Sequence, residues 1–225
     1  MGPLGKHSDA ASQQGEIDVA MAESITLYGS FLSGPTYKVG LMLALTGQTY
    51  GYRHVDLSKA EQKSPEFLKL NRFGQVPVLV HDGRALVQSC AIIEYLADLT
   101  GRFGGKDAGE RQEAREWLHW DVDRLMPWMN RTRFYTRFVK PDPAVMEITR
   151  KAALAGLDSL EKLLEGREFL LASGPSIADI GLFSSVVHAA EAEFDLDEYP
   201  TIQAWWQRLA ALPGFKLPYD LLPKG

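Results

Sequence analysis

The stretch Gly74–Leu96, GQVPVLVHDGRALVQSCAIIEYL, decides how this chain is read. Val78-Leu79-Val80 and Ala85-Leu86-Val87 are short apolar runs on either side of His81-Asp82-Gly83-Arg84. An Asp-Gly pair between two such runs predicts an antiparallel hairpin, because both residues accept the positive φ that a tight hairpin turn requires. Further on, Ala91, Ile92, Ile93, Leu96, Ala97 and Thr100 recur at helical spacing, and Gly101 supplies a left-handed stop. Gln88-Ser89 therefore falls where a strand ends and a helix begins.

That junction has chemical content. The first turn of a helix carries unpaired N–H groups and a partial positive charge, which suit a carboxylate or phosphate, and Ser89 adds a hydroxyl donor. At the other end of the hairpin, Pro77 opens a strand and forces Val76 into an extended conformation. The Val76 backbone is then free to pair with an added peptide strand, and a cis Val76–Pro77 bond exposes it best. Taken singly, Val-Pro opens a strand and Ser89 starts a helix; together in one hairpin they read as a site for a peptide-like anion.

Upstream, Ser24–Tyr28 (SITLY) alternates and ends at Gly29, as a first strand does. A loop from Ser30 to Gly34 leads to Pro35, well placed as the first residue of a helix through Val39, Met42, Leu43 and Leu45 that Gly47 closes. Ser33 thus lies at a helix amino terminus just beyond a strand. Tyr50–Val55 reads as a second strand interrupted by Gly51, and Ser64-Pro65-Glu66-Phe67 as a cap and a short helix to Leu70. The order over residues 24–100 is βαβαββα, a mixed sheet, since helices join the early strands and a hairpin the last two.

Gly101–Gly109 (GRFGGKDAG) is glycine-rich and polar and reads as a linker. Beyond it the pattern is helical: Glu110–Arg137 with a bend near Pro127, then Ala144–Leu164, then a helix opened by Ser176 and running through Val187, then Ile202–Leu212, ended by Pro213-Gly214-Phe215. Ser176 and Asp179 have the spacing of a reciprocal capping pair, a structural role for Asp179. The expected organisation is a disordered leader over 1–22, a mixed α/β domain over 23–102 and an all-helical domain over 109–222.

Composition restricts the function classes. With 225 residues and 45% hydrophobic content the chain can bury one large or two small cores. A formal charge of -5 with no basic run argues against a nucleic-acid partner. The apolar stretches are too short to span a bilayer, and Met1–Ala20 lacks the apolar core of a secretory signal. Gly2 suggests no myristoylation, since Lys6 stands where Ser or Thr is wanted. The single cysteine, Cys90, excludes an internal disulfide framework and fits a reducing cytoplasm; with no CxxC partner it reads as a small buried side chain. His54 and His119 lack a cysteine or carboxylate at ligand spacing, so no metal site is expected.

NRFGQVPVL (Asn71–Leu79) followed by VQSCAIIEYL (Val87–Leu96) resembles the glutathione transferases. The resemblance implies a thioredoxin-like amino-terminal domain, followed by an all-helical one, and covers nearly all of residues 24–222. It implies that Val76, before a cis Pro77, pairs through its backbone with the cysteinyl part of glutathione, with Gln75 beside it, and that Gln88 and Ser89 hold the γ-glutamyl end. It further implies glutathione as co-substrate, a homodimer and a cytoplasmic, detoxifying role. GQVP and VQSCAIIEYL are similar to the zeta class, whose members include maleylacetoacetate isomerases. That likeness places Gln62 near the glycyl end, although Gly34 and Pro35 stand where the zeta signature continues with serine and cysteine. The first-helix segment resembles bacterial and theta-like enzymes equally.

In serine-type members the catalytic hydroxyl follows the first strand, and LYGSFLSGPTYKV puts Ser33 at that position, with Ser30 and Thr36 as alternatives. The chemistry needs a thiolate. A helix amino terminus contributes roughly 0.3–1 kcal/mol toward an anion and a hydroxyl hydrogen bond to a charged acceptor roughly 1.5–3 kcal/mol. At about 1.4 kcal/mol per pKa unit, the two together lower a bound thiol by roughly one to three units. The family lines its electrophile pocket with the first loop and the second domain, which implies Phe31, Leu32, Trp120, Arg124, Trp128 and Tyr135. Conjugation of glutathione to a hydrophobic electrophile is the leading expectation. Glutathione-dependent disulfide reduction or isomerisation on the same site, and a noncatalytic ligand-binding or scaffold role, are the alternatives.

Overall fold

The structure, a computed structural model, describes residues 24–224; the leader expected over 1–22 lies outside the described residues. Strand β1 (Ile25–Gly29) is central and turns Ile25 and Leu27 into the core. It pairs in parallel with β2 (Gly51–His54), Thr26 beside Gly51, and antiparallel with β3 (Val78–His81), Leu27 beside Leu79. The hairpin β3–β4 (Arg84–Val87) places Val78 beside Val87, with Asp82 and Gly83 both at positive φ in its turn. The sheet order is β2-β1-β3-β4. The mixed sheet thus forms as the alternating pattern and Asp-Gly signal dictate, each strand shifted by a residue or two.

Helix α1 (Gly34–Thr46) runs from an Ser33 cap to Gly47 in the left-handed conformation. Tyr37, Val39, Leu41, Met42 and Leu43 are all fully buried, the signature of a helix covered on every side. It packs against α3 (Ser89–Thr100) on one side and α7 (Ile177–Val186) of the helical part on the other. Between β2 and the short α2 (Pro65–Leu70) lie two 3-10 turns, Leu57–Lys59 and Glu61–Lys63, which the sequence pattern did not announce.

The linker is shorter than its composition suggests, because Asp107 caps α4 (Ala108–Trp120) through the Glu110 amide. The bend expected near Pro127 is a π-helical turn, Asp121–Leu125, between α4 and α5 (Met126–Arg137). Pro127 has no N–H to continue the α ladder, and the wider turn absorbs the break. The π turn carries Asp121, fully buried, to Lys38 of α1, also fully buried, at 3.5 Å. Ser185 donates to the other Asp121 oxygen at 2.7 Å, and Lys38 Nζ donates to Cys90 Sγ at 3.4 Å. Burial pulls the Lys38 pKa down, but Asp121 and Cys90 beside it hold it above its ordinary value. This charged seam ties the sheet domain to the helices.

Helix α6 (Pro143–Leu164) packs on α5, and α8 (Pro200–Ala210) packs on α6. Ser176 and Asp179 form the reciprocal cap, and Asp179 also accepts from the Leu170 amide and Trp205 Nε1, each at 2.9 Å. A last short helix, α9 (Pro218–Leu221), returns to α1, where Gly40 leaves room for Leu221 and Leu222.

Candidate active site

A cavity of about 510 Å³ lies where the amino-terminal ends of α1 and α3 meet the loop before β3. Gln62, Gln75, Val76, Pro77, Gln88 and Ser89 all line it. The Val76–Pro77 bond is cis. The loop before it is folded by Asn71, whose Nδ2 donates to Gln75 O at 2.6 Å and whose Oδ1 accepts from the Phe73 amide at 3.0 Å. Gly74, at φ 57, sits where a Cβ would come within 2.9 Å of Gln62 O and Lys63 Nζ, so no larger residue fits. Gln88 holds φ 70, ψ 110, a strained conformation for a residue with a side chain, while its carbonyl accepts the Ile92 amide and starts α3. Ser89 is buried at that first turn.

The electrostatics suit an anion with a donor. Two helix amino termini converge on the cavity, and Lys63 is on its wall. Gln62 Oε1 is buried with no hydrogen-bond partner, an acceptor that a ligand N–H would satisfy. Glutathione, two carboxylates joined by peptide bonds with an ammonium at one end, fits this donor and acceptor set. Lys63 and Asn71 are polar contributors absent from the sequence reading, as are the apolar Leu57 and Met126. Asn71 stands inside the family-like motif, but its role is to fold the loop, which spacing does not reveal.

A second cavity, about 450 Å³, adjoins the first through Pro35 and Leu57, which line both. Ser33 opens onto this second cavity, beside Leu32, Asn130, Arg133, Phe134 and Phe138. Ser33 Oγ accepts from the Thr36 amide at 3.2 Å. That bond uses a lone pair and leaves the hydroxyl proton to donate. Ser30 and Thr36 are buried and turned inward: Ser30 Oγ accepts from the Leu32 amide and Thr36 Oγ1 from the Ser30 amide, each at 3.4 Å. Arg133 Nη1 donates to Leu32 O at 2.7 Å and pins the loop that presents Ser33.

Several expected pocket residues lie elsewhere. Trp120, Arg124 and Trp128 line a separate hollow of about 450 Å³ with Ala152, Ala155 and Ser159 of α6. They form one stripe, four residues apart, and the π turn sets that stripe against α6; the next stripe, Asn130, Arg133, Phe134 and Phe138, faces Ser33 instead. Tyr135 lines a fourth depression with Lys140 and Met146. The Phe31 ring lies 5.6 Å from the His54 ring and 6.4 Å from Tyr219; of the first-loop pair, Leu32 lines the second cavity. The Asn130–Phe138 stripe is visible in the sequence as a three-to-four spacing, but nothing in it says which face meets the first domain.

Among the described residues, no group of three His, Cys, Asp or Glu side chains is placed to hold a metal, and no helix is long and apolar enough to cross a membrane.

A mixed sheet carrying a cis-proline loop and a strand-to-helix anion site, backed by a helical domain, defines the class of thioredoxin-like, glutathione-binding enzymes. The family models described as "Glutathione S-transferase, N-terminal domain" and "Glutathione S-transferase, C-terminal domain" match residues 23–98 and 127–213. A zeta-class glutathione S-transferase of Euphorbia esula is 31% identical over 199 residues, covering 85% of this chain and 88% of that protein. The disulfide-bond oxidoreductase YfcG of Escherichia coli K12 is 29% identical over 185 residues, 79% of this chain and 86% of the relative. A crystal structure of a glutathione S-transferase from Pseudomonas fluorescens Pf-5 superposes with a TM-score of 0.83 at 32% identity, covering 88% of this chain and all of that one. The chain belongs to the glutathione S-transferase family.

Proposed function

We propose that this enzyme activates glutathione through Ser33 and adds its thiolate to a hydrophobic electrophile held in the second cavity. The observation that carries this reading is the position of Ser33: its hydroxyl proton is free to donate, and it lies on the wall of a cavity that shares Pro35 and Leu57 with the glutathione-type cavity. Val76, with Gln75 and Pro77, receives the peptide portion by backbone pairing; Gln88 and Ser89 receive the γ-glutamyl end; Gln62 and Lys63 receive the glycyl end. The thiol proton leaves to solvent, the Ser33 hydroxyl hydrogen-bonds the thiolate, and sulfur forms a bond to the electrophilic carbon of an activated double bond, whose π pair moves onto the activating group and is protonated from water. The apolar walls, Leu32, Phe134 and Phe138, favour a hydrophobic partner and exclude water, which strengthens the hydroxyl–thiolate bond. The domain division at 23–102 and 109–222, a homodimeric state and a cytoplasmic, detoxifying role belong to the same reading.

The ultraviolet absorbance of bound glutathione thiolate across pH tests it. A depressed thiol pKa in the wild type that rises by roughly one to two units in Ser33→Ala, the share of the hydroxyl alone, supports the mechanism. Binding with an unshifted pKa in both proteins defeats it. A second reading, thiolate attack on a disulfide, is favoured by the Escherichia coli relative named as a disulfide-bond oxidoreductase; disulfide reduction that persists in Ser33→Ala while conjugation is lost would put it first.

A further inference from the structure

Arg133 holds the loop in front of Ser33, and other residues hold Arg133. Its Nη1 donates at 2.7 Å to Leu32 O, the carbonyl of the peptide that leads into Ser33. The N–H of the same planar peptide, on Ser33, donates to Ser30 O at 3.0 Å. Gripped at both ends, that peptide sets where the Ser33 side chain leaves the backbone, and the bond from the Thr36 amide then sets Oγ. The Arg133 side chain is only 6% exposed, and the other two edges of its guanidinium are occupied. Nε donates to Glu191 Oε2 at 3.0 Å and Nη2 to Tyr219 Oη at 3.2 Å. Because a guanidinium is a rigid, planar fork of donors, two occupied edges fix the aim of the third.

Glu191 stands in the 3-10 turn Ala189–Ala192 and Tyr219 in α9. They are joined directly, Tyr219 Oη donating to Glu191 Oε1 at 2.8 Å. Arg137, one turn on from Arg133, pairs with Glu191 Oε2 and donates to Tyr219 Oη at 2.9 Å. His188 Nδ1 lies 3.1 Å from Glu191 Oε1, and its ring is neutral near pH 7 because burial and the two guanidiniums hold its pKa down to about 3. A carboxylate only accepts, so Nδ1 carries the ring proton. The Tyr219 hydroxyl is thus the point where both arginines and the carboxylate meet.

We infer that Tyr219 and Glu191 are positioning residues for the reaction: they place the Ser33 hydroxyl by aiming Arg133 at Leu32 O. Neither lines the glutathione-type cavity or its neighbour, so neither reaches a substrate held there. The inference rests on the glutathione-conjugating reading above. A hydroxyl displaced from the bound sulfur loses most of its hydrogen bond, and with it the share of thiolate that Ser33 supplies.

The test is Tyr219→Phe, which deletes one oxygen and keeps the ring and the net charge. Amide hydrogen exchange in the protein without glutathione reads the loop directly: Leu32 and Ser33 should exchange about tenfold faster than in the wild type, with Ile92 in α3 unchanged. With glutathione bound, the thiol pKa should rise by about one unit. For conjugation, kcat should fall about tenfold while the KM for glutathione stays within about twofold. In Ser33→Ala the Tyr219→Phe change should add nothing to the thiol pKa, since no hydroxyl is left to misplace. Glu191→Gln should move each quantity in the same direction. Unchanged loop exchange overturns the inference, as does a thiol pKa shift that persists in the Ser33→Ala background. A lower melting temperature with exchange and thiol pKa both unchanged makes the cluster purely structural and also overturns it. Faster loop exchange with the wild-type thiol at its free pKa leaves the hold on Leu32 standing and removes the conjugating reading beneath it.

Discussion

The two adjoining cavities are built in opposite ways. The first takes Leu57, Gln62, Lys63, Asn71, Gly74 to Pro77, Gln88 and Ser89 from one stretch of some thirty residues, closed by Pro35 and Met126. The second is assembled across about a hundred residues, from Leu32, Ser33 and Leu57 on the sheet side and Asn130, Arg133, Phe134 and Phe138 on α5. A site made by one hairpin and its flanking turns depends on local backbone conformation, whereas a site made between domains depends on how the domains dock. Damage to the seam should therefore separate the two.

The largest effect is expected at that seam. Removing one partner of the buried Lys38–Asp121 pair strands the other charge, which costs about 3–5 kcal/mol. Lys38→Met should lower the denaturant midpoint accordingly, and Lys38→Met with Asp121→Leu should recover most of the loss. In Lys38→Met assayed well below its melting temperature, the KM for the electrophile should rise by about fivefold or more while glutathione affinity stays within about twofold, since the first cavity takes Met126 alone from the helical part, whereas the second takes Asn130, Arg133, Phe134 and Phe138 from it. Equal losses in both would break the comparison.

Next comes Ser33, which lines the second cavity beside the shared Pro35. Ser33→Ala should reduce kcat/KM for conjugation by about 10- to 100-fold, the worth of one hydrogen bond to a charged acceptor. The same change removes the α1 cap and should cost about 1 kcal/mol in thermal unfolding. A loss of stability without a loss of rate would leave Ser33 a cap alone.

His188 sharpens the electrostatic side. Its folded pKa of about 3 lies below the ordinary 6.5, so the unfolded chain binds the extra proton first. The stability it contributes is complete above pH 6.5 and is lost as pH falls toward 3, with a slope of at most about 1.4 kcal/mol per pH unit. Chemical denaturation between pH 7 and 5 should show this slope in the wild type and a flatter one in His188→Gln. The smallest effect is expected at Gln88. Relief of its positive φ should make Gln88→Gly about 1 kcal/mol more stable, while glutathione titration should show about tenfold weaker binding. Strain and affinity at this residue then have opposite signs, as a locally built site would require.

What could be read from the sequence follows the same division. The hairpin, the Ser33 and Ser64 caps, the Gly47 and Gly101 stops and the Ser176–Asp179 pair are all decided within a few residues, and each has a spacing or residue type tied to its conformation; the cis bond at Val76–Pro77 was implied by the resemblance. Asn71 stood in plain view inside NRFGQ, but its bonds to Gln75 and Phe73 belong to a loop with no periodic signal. Pro127 marked a bend without telling that the bend would be a π turn, and the rotation that turn imposes is what sends Trp120, Arg124 and Trp128 toward α6.

Local chemistry in the chain thus settles the mixed sheet, the helical second half and the strand-to-helix junction at Gln88-Ser89, because φ preferences, caps and hydrophobic period act over one or two turns, while the family was legible as a motif resemblance in NRFGQVPVL and VQSCAIIEYL. Which face of α5 meets Ser33, where Arg133 and Arg137 find their single carboxylate, and how Lys38 reaches Asp121 follow from packing between segments far apart in the chain. Their energies exist only once the domains have docked, so no short-range pattern records them.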